Sequence, residues 1–467
     1  MARGPRNLRI SANAVGLTAF GGVALLHSFI RQLGMQGTLS RRIRYRQRNT
    51  AYSIREMLEA LLYPLILGLG RVESTEPLRH NGVFQYLAGL PGYPEATTLR
   101  RFLLRFAQKG REKLMAVHHG WQREMLGRPQ APVRAILDLD GTVLTVYGKQ
   151  AGSAIGYNPK KRGRPSYLPL LCFEGISGDI LGGSYHPGNT RGHTFAVPLL
   201  RECLDRLPAS VTAVAVRADS EFYNRRFIEF IEGNGAKYVI VAPLQHGLKS
   251  RLGGLSYRRV SKGVFVAEFT YTPHGWGCPR RYVVIRRPVP EEPSAQLHLF
   301  QMQGFTYQTL VTNMSLQPLN LWRFYNRRAT AELVIRELKD AYALGKIPTR
   351  DLAANESFFQ IVLLAYNLLN WFKRLAAPPG WQHMTLQRLR QRLLLVPAQL
   401  VHPAGVPTLR IMPGYLHARA FLDILRRIEI LPPLSASFQR QEPASNRNKR
   451  ASPVRSAKKP FFTQDSG

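Results

Sequence analysis

The chain has 467 residues, 45% of them hydrophobic, and its 65 Lys and Arg against 29 Asp and Glu give a formal net charge of +36. This length exceeds one ordinary hydrophobic core, so two or three domains are expected. A positive charge this large indicates a polyanionic partner, either nucleic acid or an anionic membrane surface. A basic, well-solvated surface or a ribosome-associated protein would carry the same charge, so charge alone names no activity.

Membrane association is the weaker of the two options. The longest apolar run, residues 61–70, is about half of the ~20 residues that a spanning helix needs, and it contains Pro64. The N-terminal sequence shows no continuous apolar stretch of the kind found in a signal peptide. The cysteines Cys172, Cys203 and Cys278 lie far apart, so neither a disulfide framework nor a zinc ribbon is indicated, and each is expected to be a small core residue. We expect a soluble, cytoplasmic protein without a membrane partner.

Residues 1–130 are predicted to form a helical, basic N-terminal DNA-binding domain. Apolar residues recur at helical spacing in 51–66 and again in 97–126. The segment 41–49, RRIRYRQRN, precedes the first of these helices and is rich in arginine. A basic helical module of this kind could be a helix-turn-helix reader of duplex DNA or a structural cap with a solvated face. The sequence leaves both interpretations open.

Strand patterns begin at residue 131 and alternate with helical ones. Apolar strands separated by the helical segments LLRECLDRL and RRFIEFIEGNG indicate a mixed α/β domain. The predicted segments that follow the N-terminal domain are a first α/β part at 131–245, a β-rich insertion at 246–318, long helices at 319–375, a helical C-terminal region at 376–435 and a basic disordered tail at 436–467.

The stretch LDLDGTVLTVYGKQ, residues 137–150, places Asp138 and Asp140 on one apolar strand. An Asp-x-Asp-Gly-Thr strand end resembles the first motif of haloacid-dehalogenase-like phosphatases, in which the first aspartate is the nucleophile. That chemistry also requires a downstream acidic pair to hold Mg²⁺, and no Asp-Asp or Gly-Asp-x-x-x-Asp occurs after residue 140. The phosphatase interpretation is therefore disfavoured.

Three acids in suitable contexts favour a different phosphate chemistry. Asp140 ends one apolar strand, Asp219 ends a second, and Glu332 lies in a predicted helix. Phosphodiester transfer requires charge to be neutralised on the attacking and leaving oxygens, which carboxylate-bound Mg²⁺ ions accomplish. The sequence therefore predicts a metal-dependent phosphoryl-transfer site built from these residues.

The predicted helix around Glu332 also carries cations. Tyr325, Arg328, Glu332 and Lys339 are spaced three, four and seven residues apart. On one continuous helix they fall within an arc about 60° wide. One helix face would then present a phenol, a guanidinium, a carboxylate and an ammonium, the groups that a nucleic-acid phosphoryl-transfer site uses. The alternative is a solvated stripe with a Glu-Lys or Glu-Arg pair.

The pattern Tyr-x2-Arg-x3-Glu-x6-Lys at 325–339 resembles the signature of the DDE transposases of bacterial insertion sequences. The segment 137–171 is similar to the first-aspartate region of one branch of these enzymes, and RADSEFYN at 217–224 resembles the second. In that branch Asp-Ser-Thr is commoner than the Asp-Gly-Thr found here, where Gly141 stands in the middle position. The resemblance covers residues 90–375.

This resemblance implies an α/β fold with an RNase H-like catalytic core and a β-rich insertion between the second aspartate and the glutamate. It implies that Asp140, Asp219 and Glu332 are catalytic and bind Mg²⁺, for which Mn²⁺ substitutes. Tyr325, Arg328 and Lys339 would bind phosphate and position the DNA end, as that signature implies. The resemblance also implies that water attacks at the element's end and that the freed 3′-hydroxyl then attacks target DNA.

The same resemblance implies the partners. These are double-stranded DNA, as the element's terminal inverted repeats and as target DNA, and further copies of the chain in a dimer or a larger synaptic complex. The location implied is the bacterial cytoplasm, in association with the nucleoid. An RNase H-like nuclease without strand transfer and a catalytically inactive DNA-binding relative remain alternatives. The terminal repeat, the target site and any role of Asp138 in metal binding stay open.

Two further features are less specific. Arg162 and Arg164, within KKRGRPS, are similar to the core of an AT-hook, whose arginines lie in a narrow minor groove; a basic loop that touches phosphate would look the same. Trp276 lies in the predicted insertion, where related enzymes place an aromatic residue that stacks on a flipped base. A tryptophan that simply packs is the alternative.

Overall fold

The computed structural model describes residues 9–47, 51–128, 130–289, 300–302 and 304–435. The chain divides into two compact units. The first comprises Met1–Leu114, Glu337–Thr349 and Ala353–Leu434, and the second comprises Met115–Arg336, Arg350–Leu352 and Ser435–Gly467. The predicted disordered tail at 436–467 and the end of the arginine-rich segment 41–49 lie outside the described residues.

Most of the described strands lie between Arg134 and Thr312, and helices predominate before and after them. The helices are α1 (Val23–Gln32), α2 (Met35–Arg42), α3 (Ile54–Leu67), α4 (Gly82–Leu87), α5 (Ala96–Lys109), α6 (Arg111–Leu126), α7 (His193–Asp205), α8 (Arg225–Gly233), α9 (His246–Leu252), α10 (Pro318–Asn326), α11 (Ala329–Asp340), α12 (Leu352–Ala376), α13 (Leu386–Leu389) and α14 (Ala418–Glu429). The strands are β1 (Leu17–Thr18), β2 (Arg134–Gly141), β3 (Leu144–Thr145), β4 (Ala154–Ile155), β5 (Pro165–Glu174), β6 (Ile180–Pro187), β7 (Ala213–Ala218), β8 (Lys237–Ala242), β9 (Arg258–Ser261), β10 (Val264–Tyr271), β11 (Arg280–Pro288), β12 (Phe300–Met302), β13 (Phe305–Thr312), β14 (Ala398–Val401) and β15 (Thr408–Ile411).

The described part of the first unit is mostly helical. Helix α3 begins with a capping box, in which the Ser53 side chain accepts from the backbone N–H of Glu56 and the Glu56 carboxylate accepts from the backbone N–H of Ser53. These two bonds satisfy backbone donors that a helix start leaves open. The helix ends at Gly68, whose φ of 94° is the left-handed conformation that glycine adopts without strain.

Helix α12 forms much of the core of the first unit. It is long and apolar enough to cross a membrane by length and composition, with a mean hydropathy of 1.3 over its most apolar window. Within this structure 83% of that window is buried inside the protein. Its apolar side chains are therefore used for packing, which is how a core helix satisfies the same sequence pattern.

The C-terminal region differs from the helical region predicted at 376–435. It contains α13 and α14, but β14 and β15 pair with each other and β14 pairs with β1 near the other end of the chain. Each of these strands has two to four residues. Strands this short contain too few alternating positions for periodicity to separate them from loop, so the sequence pattern missed them.

The second unit is built on one large mixed sheet. Its strand order is β3-β5-β2-β7-β8-β13-β11-β10-β9, and β6 pairs with the outer side of β5. Strands β2, β7 and β8 run parallel, whereas β5 is antiparallel to both β2 and β6. The strands predicted to form an insertion continue this same sheet, because β13 pairs antiparallel with β8.

Helices cover both faces of the sheet in the second unit. On one face the core includes Leu199 of α7, Phe227 and Ile231 of α8 and Val216 of β7. On the other face residues of α10 pack against the neighbouring position Ala215. Successive side chains of a strand point to opposite faces, so β7 contributes to both cores. This arrangement fixes which strand ends meet which helices.

The predicted core cysteines are only partly as expected. Cys172 and Cys203 are buried free thiols in the core of the second unit. Cys278 is exposed, so the prediction that it is a core residue is wrong. It lies in the connection between β10 and β11, outside the residues that pair in the sheet.

The single helix predicted across 325–339 is also wrong, because the helix is interrupted. Helix α10 ends at Asn326 and α11 begins at Ala329, so Tyr325 and Glu332 lie on different helices. Arg328 lies between the two helices, and its backbone N–H bonds to the carbonyl of Tyr325 three residues earlier. The predicted 60° arc therefore does not describe one helix face.

Candidate active site

Two aspartates lie at the carboxyl ends of neighbouring parallel strands in the second unit. Asp140 is near the end of β2, is 7% exposed, and its Oδ1 accepts from the backbone N–H of Gly141 at 2.9 Å. Asp219 follows β7, and its Oδ1 accepts from the N–H of Glu221 at 3.0 Å as the cap of a short 3-10 helix. The pairing of Leu139 with Ala218 sets both aspartates at one edge of the sheet.

Glu332 comes to the same edge from a helix. It lies in the first turn of α11, and its side chain is 62% exposed. The side chain of Asp219 is 37% exposed and that of Asp140 is 11% exposed. The side-chain exposure of the three carboxylates therefore increases from Asp140 through Asp219 to Glu332, and the cluster is open to solvent on the side of Glu332.

One guanidinium lies among all three carboxylates. Arg328 Nη2 is 3.0 Å from Asp140 Oδ1 and 3.7 Å from Asp219 Oδ2, and Arg328 Nη1 is 3.5 Å from Glu332 Oε1. The Arg328 side chain is 5% exposed. Its Nε is buried and has no hydrogen-bond partner among the described residues. The three acids predicted from the sequence are therefore brought together around the guanidinium of Arg328, which the sequence pattern had grouped with Glu332 alone of these acids.

The electrostatics of this cluster follow from burial and from the mutual repulsion of the acids. Burial raises the pKa of Asp140 to about 7; Arg328 opposes this shift, and Asp219 and Glu332 add to it. Burial disfavours the charge on Arg328, yet Asp140 and the other nearby acids raise the pKa of the guanidinium above its usual value. The Arg328 charge therefore offsets the mutual repulsion of the three acids.

The donor set suits a hard divalent cation in its chemistry. All three side chains offer carboxylate oxygens, which Mg²⁺ and Mn²⁺ prefer. As the side chains are placed, no group of three or more His, Cys, Asp or Glu within the described part of the chain lies close enough to hold a metal ion. The guanidinium takes the central position, so metal binding by these three residues requires Arg328 to withdraw.

Asp138, two residues before Asp140, has a different partner. Both its oxygens accept from Arg217, with Nε–Oδ1 and Nη2–Oδ2 distances of 2.6 Å, and both side chains are buried. Gly175 lies against this pair, and a Cβ at that position would be 2.8 Å from Arg217 Nη2. Asp138 is therefore committed to an ion pair and is not among the acids around Arg328.

Arg217 also reaches the interruption between α10 and α11. Its Nη1 donates to the carbonyl oxygen of Phe324 at 2.8 Å. In a continuous helix that carbonyl would accept from the N–H of Arg328, four residues later. Sequence reasoning missed Arg217, although a charged residue in the apolar strand AVAVRA, two residues before Asp219, was a usable signal.

Glu221 is a second residue that the sequence reading missed. Its Oε1 accepts from the backbone N–H of Gly192 at 2.9 Å, and its Oε2 lies beside Gly141. Burial raises the pKa of Glu221, and the nearby Asp219 adds to this rise. A fourth acid therefore lies next to the strand end that holds Asp140, and it ties this edge to the start of α7.

The remaining residues of the predicted signature differ in their surroundings. Tyr325 is buried at the end of α10, and its neighbours include Arg328 and all three acids. Burial raises the pKa of Tyr325 to about 12. Lys339 is half-buried on α11, seven residues after Glu332, in the part of that helix that belongs to the first unit. A DNA-positioning role for Tyr325 and Lys339 stays a prediction.

The two less specific features also belong to the second unit. Arg162 and Arg164 are exposed on the segment between β4 and β5. Trp276 is half-buried; its ring stacks on Tyr223 at 5.0 Å, and the guanidinium of Arg280 lies 5.0 Å from it. These contacts fit a packing role for Trp276, and base stacking stays a prediction.

The fold and the site together describe a mixed α/β protein with a cluster of carboxylates at one edge of its main sheet. The family model for the transposase DDE domain group 1 matches residues 2–433. The chain belongs to this family of DDE transposases, which generally use divalent metal ions. The resemblance drawn from the Tyr-Arg-Glu-Lys pattern is thereby confirmed at the level of the family.

No curated protein matches the chain. Among solved structures, it is similar to the piggyBac transposase in a synaptic complex with hairpin DNA, determined by cryo-electron microscopy. The two are 11% identical, the match covers 81% of this chain and 82% of that one, and the TM-score is 0.41.

Proposed function

We propose that this protein is a metal-dependent DNA transposase, which cleaves DNA at the ends of an insertion sequence and joins the freed ends to target DNA. The observation that carries the proposal is the convergence of Asp140, Asp219 and Glu332 on one central cation position, now filled by Arg328. Carboxylates from two strands and a helix that share one cation are suited to phosphodiester chemistry.

The roles of the site residues follow from their positions. Asp140, Asp219 and Glu332 would hold Mg²⁺, with Mn²⁺ as a substitute. Bound divalent ions supply the positive charge that activates the attacking oxygen and stabilises the leaving one. Arg328 would donate to phosphate oxygens when it leaves the carboxylates, since a guanidinium forms strong charge-assisted bonds to phosphate.

We further propose that the second unit contains an RNase H-like core. The support is the strand order β6-β5-β2-β7-β8, in which the first three strands are antiparallel neighbours and the last two run parallel to β2. Strands β9 to β13 would then be the β-rich insertion, since they lie in sequence between Asp219 and Glu332.

The proposed partners are element-end DNA, target DNA and further copies of this chain. The net charge of +36 supports binding to a polyanion. Joining two element ends to one target requires at least two active sites in one complex, so we propose a dimer or larger assembly in the bacterial nucleoid.

The test uses purified full-length protein and DNA that flanks its gene, where matching inverted repeats would mark the element's ends. Wild type is expected to cleave these ends with Mg²⁺ and to join them to a plasmid. Glu332→Gln is expected to bind the same DNA with nearly unchanged affinity and to abolish cleavage. Glu112→Gln, which alters an exposed acid of the first unit, serves as the matched control and keeps both activities.

Each other outcome assigns a different function. Cleavage without joining to the plasmid identifies a nuclease. DNA binding by wild type without any metal-dependent cleavage identifies an inactive DNA-binding relative. Cleavage by Glu332→Gln at the wild-type rate overturns the assignment of the carboxylate site.

A further inference from the structure

A basic arm, residues 147–164, belongs to the second unit and follows β3, the short strand that comes after the strand holding Asp140. It connects β3 to β5 and includes the two residues of β4. No Asp or Glu occurs between Asp140 and Glu174, whereas the arm contains five basic residues. All five are exposed; they are Lys149, Lys160, Lys161, Arg162 and Arg164. The arm therefore presents positive charge without any local acid to neutralise it.

Large apolar side chains are exposed on the same arm. Tyr147 is 72% exposed, Tyr157 is 81% exposed, and Ile155 is 64% exposed. The guanidinium of Arg164 lies 6.0 Å from the centre of the Tyr147 ring. Tyrosine rings left in solvent within one short basic segment are a feature that packing does not explain, and grouped exposed apolar side chains mark interaction sites.

Hydrogen bonds and close packing hold the arm in place, and its exposed side chains take no part in these contacts. The buried Asn158 donates to Thr145 Oγ1 at 3.0 Å, and its Oδ1 accepts from the N–H of Lys161 at 3.1 Å. Ala151 accepts a bond from the Tyr167 hydroxyl at 2.5 Å. Gly156 lies so close to the Gly188 carbonyl that no side chain fits between them. An ordered arm loses little entropy when it binds.

The position of the arm relative to Asp140 is set by β5. Asp140 pairs with Leu171 and the arm rejoins the sheet at Pro165. At about 3.4 Å per residue, the arm lies roughly 20 Å from Asp140 along this strand. Duplex DNA rises about 3.4 Å per base pair along its axis, so this distance corresponds to about six base pairs of B-form DNA.

We propose that the basic arm binds unpaired DNA near the end that the carboxylate site cleaves, with Tyr147 and Tyr157 stacking on bases and the basic residues contacting phosphates. This inference rests on the proposed function. Base faces are open for stacking in a single strand, whereas in a duplex they are covered by neighbouring base pairs. Stacking on aromatic rings needs no particular base, and basic residues add an attraction that depends on salt.

The test measures the affinity of the full chain for fluorescently labelled DNA by anisotropy. The probes are a mixed-sequence 30-nucleotide single strand and the duplex formed with its complement. Tyr147→Ala/Tyr157→Ala is expected to weaken binding to the single strand by about tenfold or more and to leave duplex binding nearly unchanged. Tyr147→Phe/Tyr157→Phe retains both rings and is expected to bind like wild type.

The charges of the arm are tested separately from its rings. Lys160→Gln/Lys161→Gln is expected to weaken binding to both probes and to reduce the dependence of affinity on salt concentration, because fewer counterions are released. Tyr86→Ala removes a tyrosine of the first unit that is 53% exposed, and it serves as the control for loss of an exposed ring.

The outcomes separate this proposal from the proposed function. If the double alanine variant binds the single strand like wild type while wild type still cleaves element ends with Mg²⁺, the arm proposal is wrong and the transposase proposal stands. If the alanine variant loses single-strand binding but wild type cleaves no DNA, the arm binds DNA and the proposed activity is wrong. If Tyr147→Ala/Tyr157→Ala loses affinity equally for the single strand and for the duplex, the arm binds DNA in general and the proposed preference for unpaired strands is wrong.

Discussion

Arg217 donates to the carbonyl oxygen of Phe324 at the point where the helix that precedes Glu332 is interrupted. The N–H of Arg328, which would otherwise bond to this carbonyl, bonds to Tyr325 instead. The same guanidinium holds Asp138 through two bonds of 2.6 Å. One buried side chain thus links β2, β7 and α10, the elements that place two of the three acids and Arg328.

Replacing both members of this ion pair distinguishes positioning from stability. Arg217→Met is expected to lower the free energy of unfolding by roughly 3–5 kcal/mol, because Asp138 would be left buried without a partner. Asp138→Leu/Arg217→Met is expected to recover much of that loss, measured by urea unfolding. Cleavage by the double variant is nevertheless expected to stay low, since the Phe324 carbonyl has lost its donor. Wild-type cleavage by a stable double variant would show that the pair has no positioning role.

Gly175 provides a second test of the same ion pair. A Cβ at this position would be 2.8 Å from Arg217 Nη2 and 2.9 Å from Asp138 Oδ2, closer than nonbonded atoms approach. Gly175→Ala is therefore expected to lower the midpoint of urea unfolding by an amount corresponding to about 1–3 kcal/mol. Gly233→Ala is the control: the site at the end of α8 has open space, so its stability is expected to be unchanged or slightly higher. Equal effects of the two substitutions would contradict the crowding at Gly175.

Arg328 is expected to compete with divalent ions for the three carboxylates. Without DNA, Arg328→Gln is expected to bind Mn²⁺ about tenfold more tightly than wild type, because the ion no longer displaces a guanidinium. The measurement is the Mn²⁺ dependence of the melting temperature, which requires no catalysis. Arg327→Gln removes the same charge from the exposed neighbouring residue and serves as the control. A Mn²⁺ affinity that is the same in both variants would argue against competition at the site.

The stability of the first unit is expected to depend on the protonation of Glu59. This residue is 1% exposed, and burial raises its pKa to about 7 although Gln36 and Arg55 donate to it. Between its ordinary pKa of 4.5 and about 7, the folded state holds a proton that the unfolded state releases. The contribution of Glu59 to stability is therefore full below pH 4.5 and is lost as the pH rises through 7.

Glu59→Gln is expected to remove this part of the pH dependence. Melting temperatures of the variant and of wild type should converge toward pH 4.5, and the variant should be more stable at pH 8. A difference of one pKa unit between the folded and unfolded states changes the free energy of unfolding by at most about 1.4 kcal/mol, and this limits the size of the effect. Glu112→Gln, at an exposed position, is expected to follow wild type at every pH. Identical pH profiles for wild type and Glu59→Gln would contradict the raised pKa.

The sequence by itself determined most of the longer helices and strands, and it singled out the three acids that the structure brings together. Asp140 and Asp219 could be found because each ends an apolar strand, and Glu332 because it belongs to the spaced pattern of Tyr325, Arg328 and Lys339. These are short-range patterns, in which the period of side-chain burial follows directly from the backbone geometry. The family could be recognised from the same residues.

Only the tertiary structure decided how these residues are held. Asp138 and Arg217 are 79 residues apart, and Arg328 meets the carbonyl of Leu139 across 189 residues. Their pairing depends on strands that become neighbours after folding, and no local period encodes it. The interruption between α10 and α11 arises in the same way: the sequence there is helical in pattern, but a side chain from β7 takes the carbonyl that a continuous helix would have used.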